Sequence, residues 1–238
     1  MTNAWVFEPR VACVPVTDGR LFPVRRIFCV ARNYADHARE MGADPNREAP
    51  FFFLKPNDAV FPVTDETACW PYPPMTEEVH HEVELVVALG RGGRNLSVVE
   101  AEQAIWGYTV GLDMTRRDLQ SAAKAKGRPW DVAKGFDASL PLAPLVPRPG
   151  VALTRGVVRL WVNETLRQAG DVAQMIWSIP ELIATLSRYW RLAAGDLILT
   201  GTPAGVGPVV AGDRVTAEVE GVARFTMTVV ADGDAPTR

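Results

Sequence analysis

The segment His80-His81-Glu82-Val83-Glu84-Leu85 sets two carboxylates two residues apart in a run otherwise rich in aliphatic residues. Read as one strand over 80–89 that stops at Gly90, it alternates faces with period two. Glu82 and Glu84 then point one way, and Val83, Leu85 and Val87 the other. Two carboxylates on an apolar strand repel each other and lose hydration unless a cation sits between them, and a divalent metal is the simplest such cation. A solvent-facing edge strand would carry the same Glu-x-Glu with no ion at all, and for this motif taken alone that is the commoner case.

Other residues with chemistry in them lie at intervals along the chain. His37 and Glu40 are three apart, neighbours on one helical face, where a carboxylate can orient and polarise an imidazole; a solvated surface pair has the same spacing. Asp113 ends an apolar run, Arg117 and Gln120 share a helix face, and Lys134 falls in a loop bounded by Gly135. Lys55 reads as a site residue facing a cleft or, the commoner case, as the polar edge of a strand, and Arg116, Lys124 and Lys126 as the solvated charges of an amphipathic helix. The loop 200–208 (TGTPAGVGP) lacks the Gly-Lys-Ser/Thr of a P-loop and the Gly-x-Gly-x-x-Gly of a dinucleotide site, so it reads as a backbone-lined wall of an anion pocket.

The elements that must position these groups are short. Strands are expected at 11–16, 26–30, 51–54, 106–113 and 197–199, with hairpins turning at Asn163-Glu164 and Glu220-Gly221. A helix of about two turns is expected from an Asn33 cap to Gly42, and others over 97–104, 115–126 and 178–190. Ser97 with Glu100 and Ser178 with Glu181 have capping-box spacing. Leu182, Ile183, Leu186 and Tyr189 make a core stripe. Phe51–Phe53, Trp70 and Trp130 either shape an acyl pocket or, the commoner case, are core, and Trp70–Pro74 reads as a rigid extended connector.

Composition narrows the partners. A chain of 238 residues with 47% apolar and 22% charged residues is long enough for a sizeable core. A formal charge of −3 without a basic stripe argues against nucleic acid. No apolar run approaches the ~20 residues of a membrane span, and the N-terminus lacks signal-peptide character. Three unpaired cysteines suggest a reducing cytoplasm rather than a disulfide framework, and three histidines do not suggest a nitrogen-rich metal site.

Taken in order, Arg32-Asn33-Tyr34-x-x-His37-x-x-Glu40, His80-His81-Glu82-x-Glu84-Leu85, Asp113-x-x-x-Arg117-Asp118-x-Gln120, Lys134 and Thr200-Gly201-Thr202-Pro203 resemble the fumarylacetoacetate hydrolase family. The likeness is to its small acylpyruvase and fumarylpyruvate hydrolase branch and extends from about residue 25 to 224. It implies an α+β fold, a mixed β-roll or sandwich with short peripheral helices, usually as a homodimer. The corresponding division is an N-terminal extension over 1–24, a catalytic domain over 25–230 and a frayed tail over 231–238. It further implies Glu82, Glu84 and Asp113 as metal ligands, His37 and Glu40 as a water-activating dyad, and Lys134 as the active-site lysine. Arg32, Arg117, Gln120 and Thr202 would contact substrate.

Three oxygen ligands favour Mg²⁺ or Mn²⁺. With Arg117 and Lys134 counted, such a centre is positive and suits a small anionic oxo-acid. The implied activity is hydrolysis of the C–C bond of a 3-acylpyruvate such as fumarylpyruvate, a step of gentisate-type aromatic catabolism. His37 would be the general base, and Lys134 with the 200–207 loop would stabilise the oxyanion. Oxaloacetate decarboxylation, or isomerisation or hydration of a related oxo-acid, would use the same centre. A metal-binding scaffold of the same fold would have no need of His37, Glu40 or Lys134.

Overall fold

The computed structural model describes residues 5–35 and 48–231. Among these residues the fold is two packed β-sheets with smaller sheets at their margins and a few short helices. The larger sheet has eight strands. Its order runs Phe51–Lys55, Arg26–Ala31, Asp196–Leu199, Val83–Leu89, Ile105–Leu112, Leu140–Leu142 and Val60–Pro62, and Val146–Pro147 pairs with Ile105–Leu112. It is mixed, since Asp196–Leu199 lies parallel to Arg26–Ala31 but antiparallel to Val83–Leu89. The five-stranded sheet runs Thr165–Asp171, Val157–Val162, Arg214–Val219, Ala223–Val230 and Cys69–Pro71.

Side-chain parity explains how these layers meet. In Val157–Val162 and Arg214–Val219 buried residues alternate with partly or fully exposed ones, as in a sheet with one face on a core. Val158, Leu160, Val215 and Ala217 pack there against Val83, Leu85 and Val87 of the large sheet and against Leu182, Ile183 and Leu186 of the Ile179–Tyr189 helix. Every residue of Val83–Leu89 is buried, because Val86 and Ala88 enter a second cluster with Val14, Val16 and Phe22. This excludes the solvent-facing edge strand as an account of Glu84.

The turns and caps follow their local chemistry. Asn163 and Glu164 both have positive φ (49° and 67°), as the tight twisted turn of a two-residue hairpin requires. Glu181 accepts from the Ser178 backbone and hydroxyl, and Ser97 with Glu100 forms the expected box. Gly107 lets Val146–Pro147 approach: a Cβ there would lie 2.4 Å from the Val146 carbonyl oxygen.

Several expected elements differ. The 80–89 strand is interrupted at Glu82 and becomes Val79–His81, in a three-stranded sheet with Thr115–Arg116 and Gly207–Val209, and Val83–Leu89 in the large sheet. Thr115–Arg116 is therefore strand, and the helix begins at Arg117 and ends at Ala125. Phe51–Lys55 lies at the sheet edge, with Phe51 and Leu54 exposed rather than core. Tyr189 is exposed because the helix ends there. Cys69–Pro71 is not a connector but a strand parallel to Ala223–Val230, and its Trp70 is core. The carboxamide of Asn33 bonds the backbones of Trp177 and Thr200, tying two loops together, and the expected 33–42 helix falls mostly outside the described residues.

Candidate metal centre

The break at Glu82 is held by a side chain from the other sheet. Gln168 is fully buried, and its Oε1 accepts from Val83 N at 3.0 Å and from His81 Nδ1 at 2.9 Å. Its Nε2 donates to Thr202 Oγ1 and to the Pro203 carbonyl, both at 2.8 Å. One amide thus clamps the strand break to the glycine-rich loop and satisfies every polar group it buries. Burial pushes His81 down to about 4, so its ring is neutral and its Nδ1 proton serves this clamp.

Glu84 enters from the start of Val83–Leu89, and Asp113 from the end of the neighbouring strand, where its N–H bonds the Glu82 carbonyl at 2.8 Å. One carboxylate oxygen from each of Glu82, Glu84 and Asp113 lies within 4.8 Å of the others, and all three residues are buried. Glu84 Oε2 accepts from Gly201 N at 2.5 Å. Gly201 holds φ +98° with Asn33 directly beneath, where a Cβ would come within 2.7 Å of the Asn33 side chain. Only glycine brings that N–H to the carboxylate.

Cations frame the acids. Lys134 Nζ donates to Glu82 Oε2 at 2.8 Å and to Asp113 Oδ2 at 2.7 Å. Burial opposes its charge, but the Asp113 and Glu82 carboxylates outweigh that and hold its pKa above the usual lysine value. It is a proton donor, not a base. Arg117 donates to Glu82, to Gln120 Oε1 at 2.5 Å and to His80 Nδ1 at 3.2 Å, and His80 Nε2 in turn meets Glu78 Oε1 at 2.8 Å. Lys55 Nζ lies 2.9 Å from Asp113 Oδ1, fully buried, and donates to the Met114 and Lys134 carbonyls. Counted with every group ionised, three carboxylates and three cations balance, and a divalent ion would bring the cluster to a net charge of +2.

Two observations show that the residues fit such an ion. Glu84 forms no ion pair among the described residues, and burial followed by repulsion from Asp113 and Glu82 pushes its pKa well above the carboxylate range. Asp113 Oδ1 is buried without a hydrogen bond, although Lys55 Nζ lies 2.9 Å away. A hard divalent cation among three oxygens answers both, and Mg²⁺ or Mn²⁺ matches the donor set.

The centre opens into a small cavity of about 40 Å³ that leads to solvent, lined also by Arg32, Phe53, Arg117, Gln120, Lys124, Trp130, Lys134 and Thr202. The structure thus brings together Glu82, Glu84, Asp113, Lys134, Arg32, Arg117, Gln120 and Thr202. His37 and Glu40 lie outside the described residues. The Thr202 hydroxyl donates to Val83 O at 2.8 Å, so in this arrangement its proton belongs to the fold. Lys134 ends a short helix, Asp131–Lys134, and is not in a loop.

Five readings change. Lys55 ends an edge strand, but its side chain is the buried partner of Asp113 and not a polar fringe. Lys124 lines the cavity although it is exposed, whereas Arg116 stacks on Phe136 at 4.5 Å. Phe53 and Trp130 are cavity wall rather than core. The helical spacing of Lys124 from Arg117 and Gln120 carried that signal; nothing in the local sequence marked Gln168 or decided between the two readings of Lys55.

Comparison with known proteins agrees with this architecture. Residues 26–230 match the family model described as fumarylacetoacetate (FAA) hydrolase C-terminal. A fumarylpyruvate hydrolase of Ralstonia sp is 44% identical over 186 residues, covering 78% of this chain and 95% of that protein. The mitochondrial oxaloacetate tautomerase of Homo sapiens is 42% identical over 207 residues, covering 86% and 91%. The crystal structure of a fumarylpyruvate hydrolase from Pseudomonas aeruginosa in complex with Mn²⁺ and pyruvate superposes with a TM-score of 0.93 at 45% identity, covering 96% of this chain and 100% of that one. By its matched length, its fold and the identity of these relatives, the chain belongs to the fumarylacetoacetate hydrolase family.

Proposed function

We propose that this protein is a divalent-metal-dependent hydrolase that adds water across the C–C bond of a 3-acylpyruvate, releasing a carboxylic acid and pyruvate, with fumarylpyruvate as the substrate. The observation that carries this reading is the buried Glu82–Glu84–Asp113 triad at the floor of a cavity whose lining includes Arg117, Lys134 and Arg32. Such a floor and walls favour an anion bearing a 2-oxo-carboxylate. The relatives named fumarylpyruvate hydrolase, one of them seen with Mn²⁺ and pyruvate, support the same choice.

When bound, Mg²⁺ or Mn²⁺ supplies a Lewis acid at the oxo-acid end of the substrate. The chain does the rest. Gln120 has its Oε1 occupied by Arg117, so its NH₂ is the group left to receive the pyruvate carboxylate beside the Arg117 guanidinium. Lys134, held protonated, stabilises negative charge developing on the attacked carbonyl oxygen. His37, with Glu40 three residues on, takes the proton of the attacking water, a contribution typically worth about 10²–10⁴-fold. The enzyme so described acts in the cytoplasm, as a homodimer, on products of aromatic ring cleavage.

A second reading, conversion of oxaloacetate by decarboxylation or tautomerisation, is favoured by relatives named oxaloacetate decarboxylase and oxaloacetate tautomerase and needs no other floor. One assay separates them: loss of ultraviolet absorbance with fumarylpyruvate, acetylpyruvate and oxaloacetate, each with Mg²⁺ and with chelator. Metal-dependent cleavage of fumarylpyruvate in preference to the others supports the hydrolase. Turnover of oxaloacetate alone replaces it with the second reading, and no turnover of any of the three leaves a metal-binding scaffold.

A further inference from the structure

Arg117, Gln120 and Lys124 stand at positions i, i+3 and i+7 of one helix, so they share a face, and all three line the metal cavity. Arg117 and Gln120 are buried while Lys124 is exposed, so this face runs from the floor of the cavity to its mouth. At the helical rise per residue, Lys124 sits about 10 Å further along the axis than Arg117. Its ammonium stands 5.2 Å from the centre of the Trp130 ring, which stations it over an apolar wall. Trp130 and Phe53 form that wall, with ring centres 5.7 Å apart.

Lys124 has no acid partner among the described residues. Burial, then the nearby Arg117 and Arg32 charges, depress its pKa; the carboxylate acting the other way, Glu82, is already bonded by Arg117 and Lys134. A cation kept among cations at the mouth of an anion cavity lacks only an anion. An extended seven-carbon chain separates its terminal carboxylate carbons by about 7–8 Å at ordinary bond lengths, and hydrogen-bond reach at each end covers the rest of the span. A four-carbon oxo-dicarboxylate is too short to reach, and a five-carbon acylpyruvate has no second carboxylate to offer.

We propose that Lys124 reads the far carboxylate of a long dicarboxylic acylpyruvate, whose planar arm lies along the Phe53–Trp130 wall, and so sets the choice of acyl group. This inference rests on the hydrolase reading above and narrows its substrate. A charge-assisted hydrogen bond at a partly exposed site accounts for roughly tenfold in selectivity.

The test compares Lys124→Gln and Lys124→Arg with wild type on fumarylpyruvate, acetylpyruvate and oxaloacetate, with Lys126→Gln as a control for general surface charge. In Lys124→Gln, kcat/KM for fumarylpyruvate should fall about tenfold, mostly through KM, and stay within twofold for the other two substrates. Lys124→Arg should recover most of the loss, and Lys126→Gln should change nothing. Equal losses on all substrates, no loss at all, or an equal effect of Lys126→Gln would overturn the assignment. Independently, calorimetric titration of the Mn²⁺-loaded protein should show fumarate binding more tightly than crotonate, its monocarboxylate counterpart, and Lys124→Gln should abolish the difference. No preference in the wild type, or one that survives the substitution, also overturns it. A wild type that cleaves none of the three substrates sinks the hydrolase reading instead, and the titration still decides the role of Lys124.

Discussion

Replacing Lys55 by Met removes one charge from the balanced floor while nearly preserving volume. The side chain is fully buried, and it pairs with Asp113 and donates to the Met114 and Lys134 carbonyls. Taking away one partner of a buried pair leaves the other charge uncompensated, which costs about 3–5 kcal/mol. We expect Lys55→Met to lose about 3 kcal/mol in chelator-treated protein, a fall in Tm of roughly 6–12 °C for a chain of this size. Removing one cation makes the floor more negative by one charge, so a divalent ion binds the variant more strongly than the wild type. The repulsion relieved between Lys55 and an ion one carboxylate away is several kcal/mol even at an effective dielectric constant of about 20. Ligand that binds only the folded state adds stability, about 2.7 kcal/mol at a hundred times Kd. The deficit should therefore shrink by about 1 kcal/mol or more at saturating Mn²⁺. Urea unfolding of both proteins, with chelator and with Mn²⁺, measures all four stabilities. A variant as stable as wild type without metal, or a deficit unchanged by metal, would refute the charge balance from which this follows.

Other consequences can be checked separately. Glu84→Gln keeps the shape and the acceptor for Gly201 but removes the acid of the triad that forms no ion pair among the described residues, so Mn²⁺ affinity should fall roughly 100-fold or more by electron paramagnetic resonance titration. Gln168→Leu strands the buried Val83 N–H and the Pro203 carbonyl, and should cost about 2–3 kcal/mol by urea unfolding while weakening metal binding through the loosened Glu82. Burial pushes the Tyr108 hydroxyl up to about 12. The folded state then holds a proton that the unfolded chain has released above pH 10, so this group's stability contribution is present below pH 10 and is lost as pH rises toward 12. The loss is up to about 1.4 kcal/mol per pH unit. Tyr108→Phe should lack that slope, and parallel curves for the two proteins between pH 10 and 12 would contradict it.

The acids were legible because their cues are local. Glu82 and Glu84 follow strand parity even across the break, and Asp113 marks the end of a strand. Arg117 and Gln120 obey helix spacing, as does Lys124, which the same rule would have included. Their partners were hidden because long-range packing makes them. Gln168 reaches the strand break from another sheet, 85 residues from Val83 in sequence. Lys55 follows three phenylalanines and a leucine on an edge strand, where neither alternation nor charge distinguishes a surface lysine from one turned inward. The interruption at Glu82 was likewise invisible, because a run of β-branched and aliphatic residues does not reveal that its two halves pair with different sheets. The family resemblance supplied the roll architecture, which depends on sheet order and not on the period of any one strand.

The most direct test is to incubate the purified protein with fumarylpyruvate and quantify the products, once with Mn²⁺ and once after chelation. Fumarate and pyruvate formed in equal amounts only with the metal present is the predicted result. Equal rates under both conditions, or pyruvate without a matching amount of fumarate, would contradict a hydrolytic centre built on the buried triad.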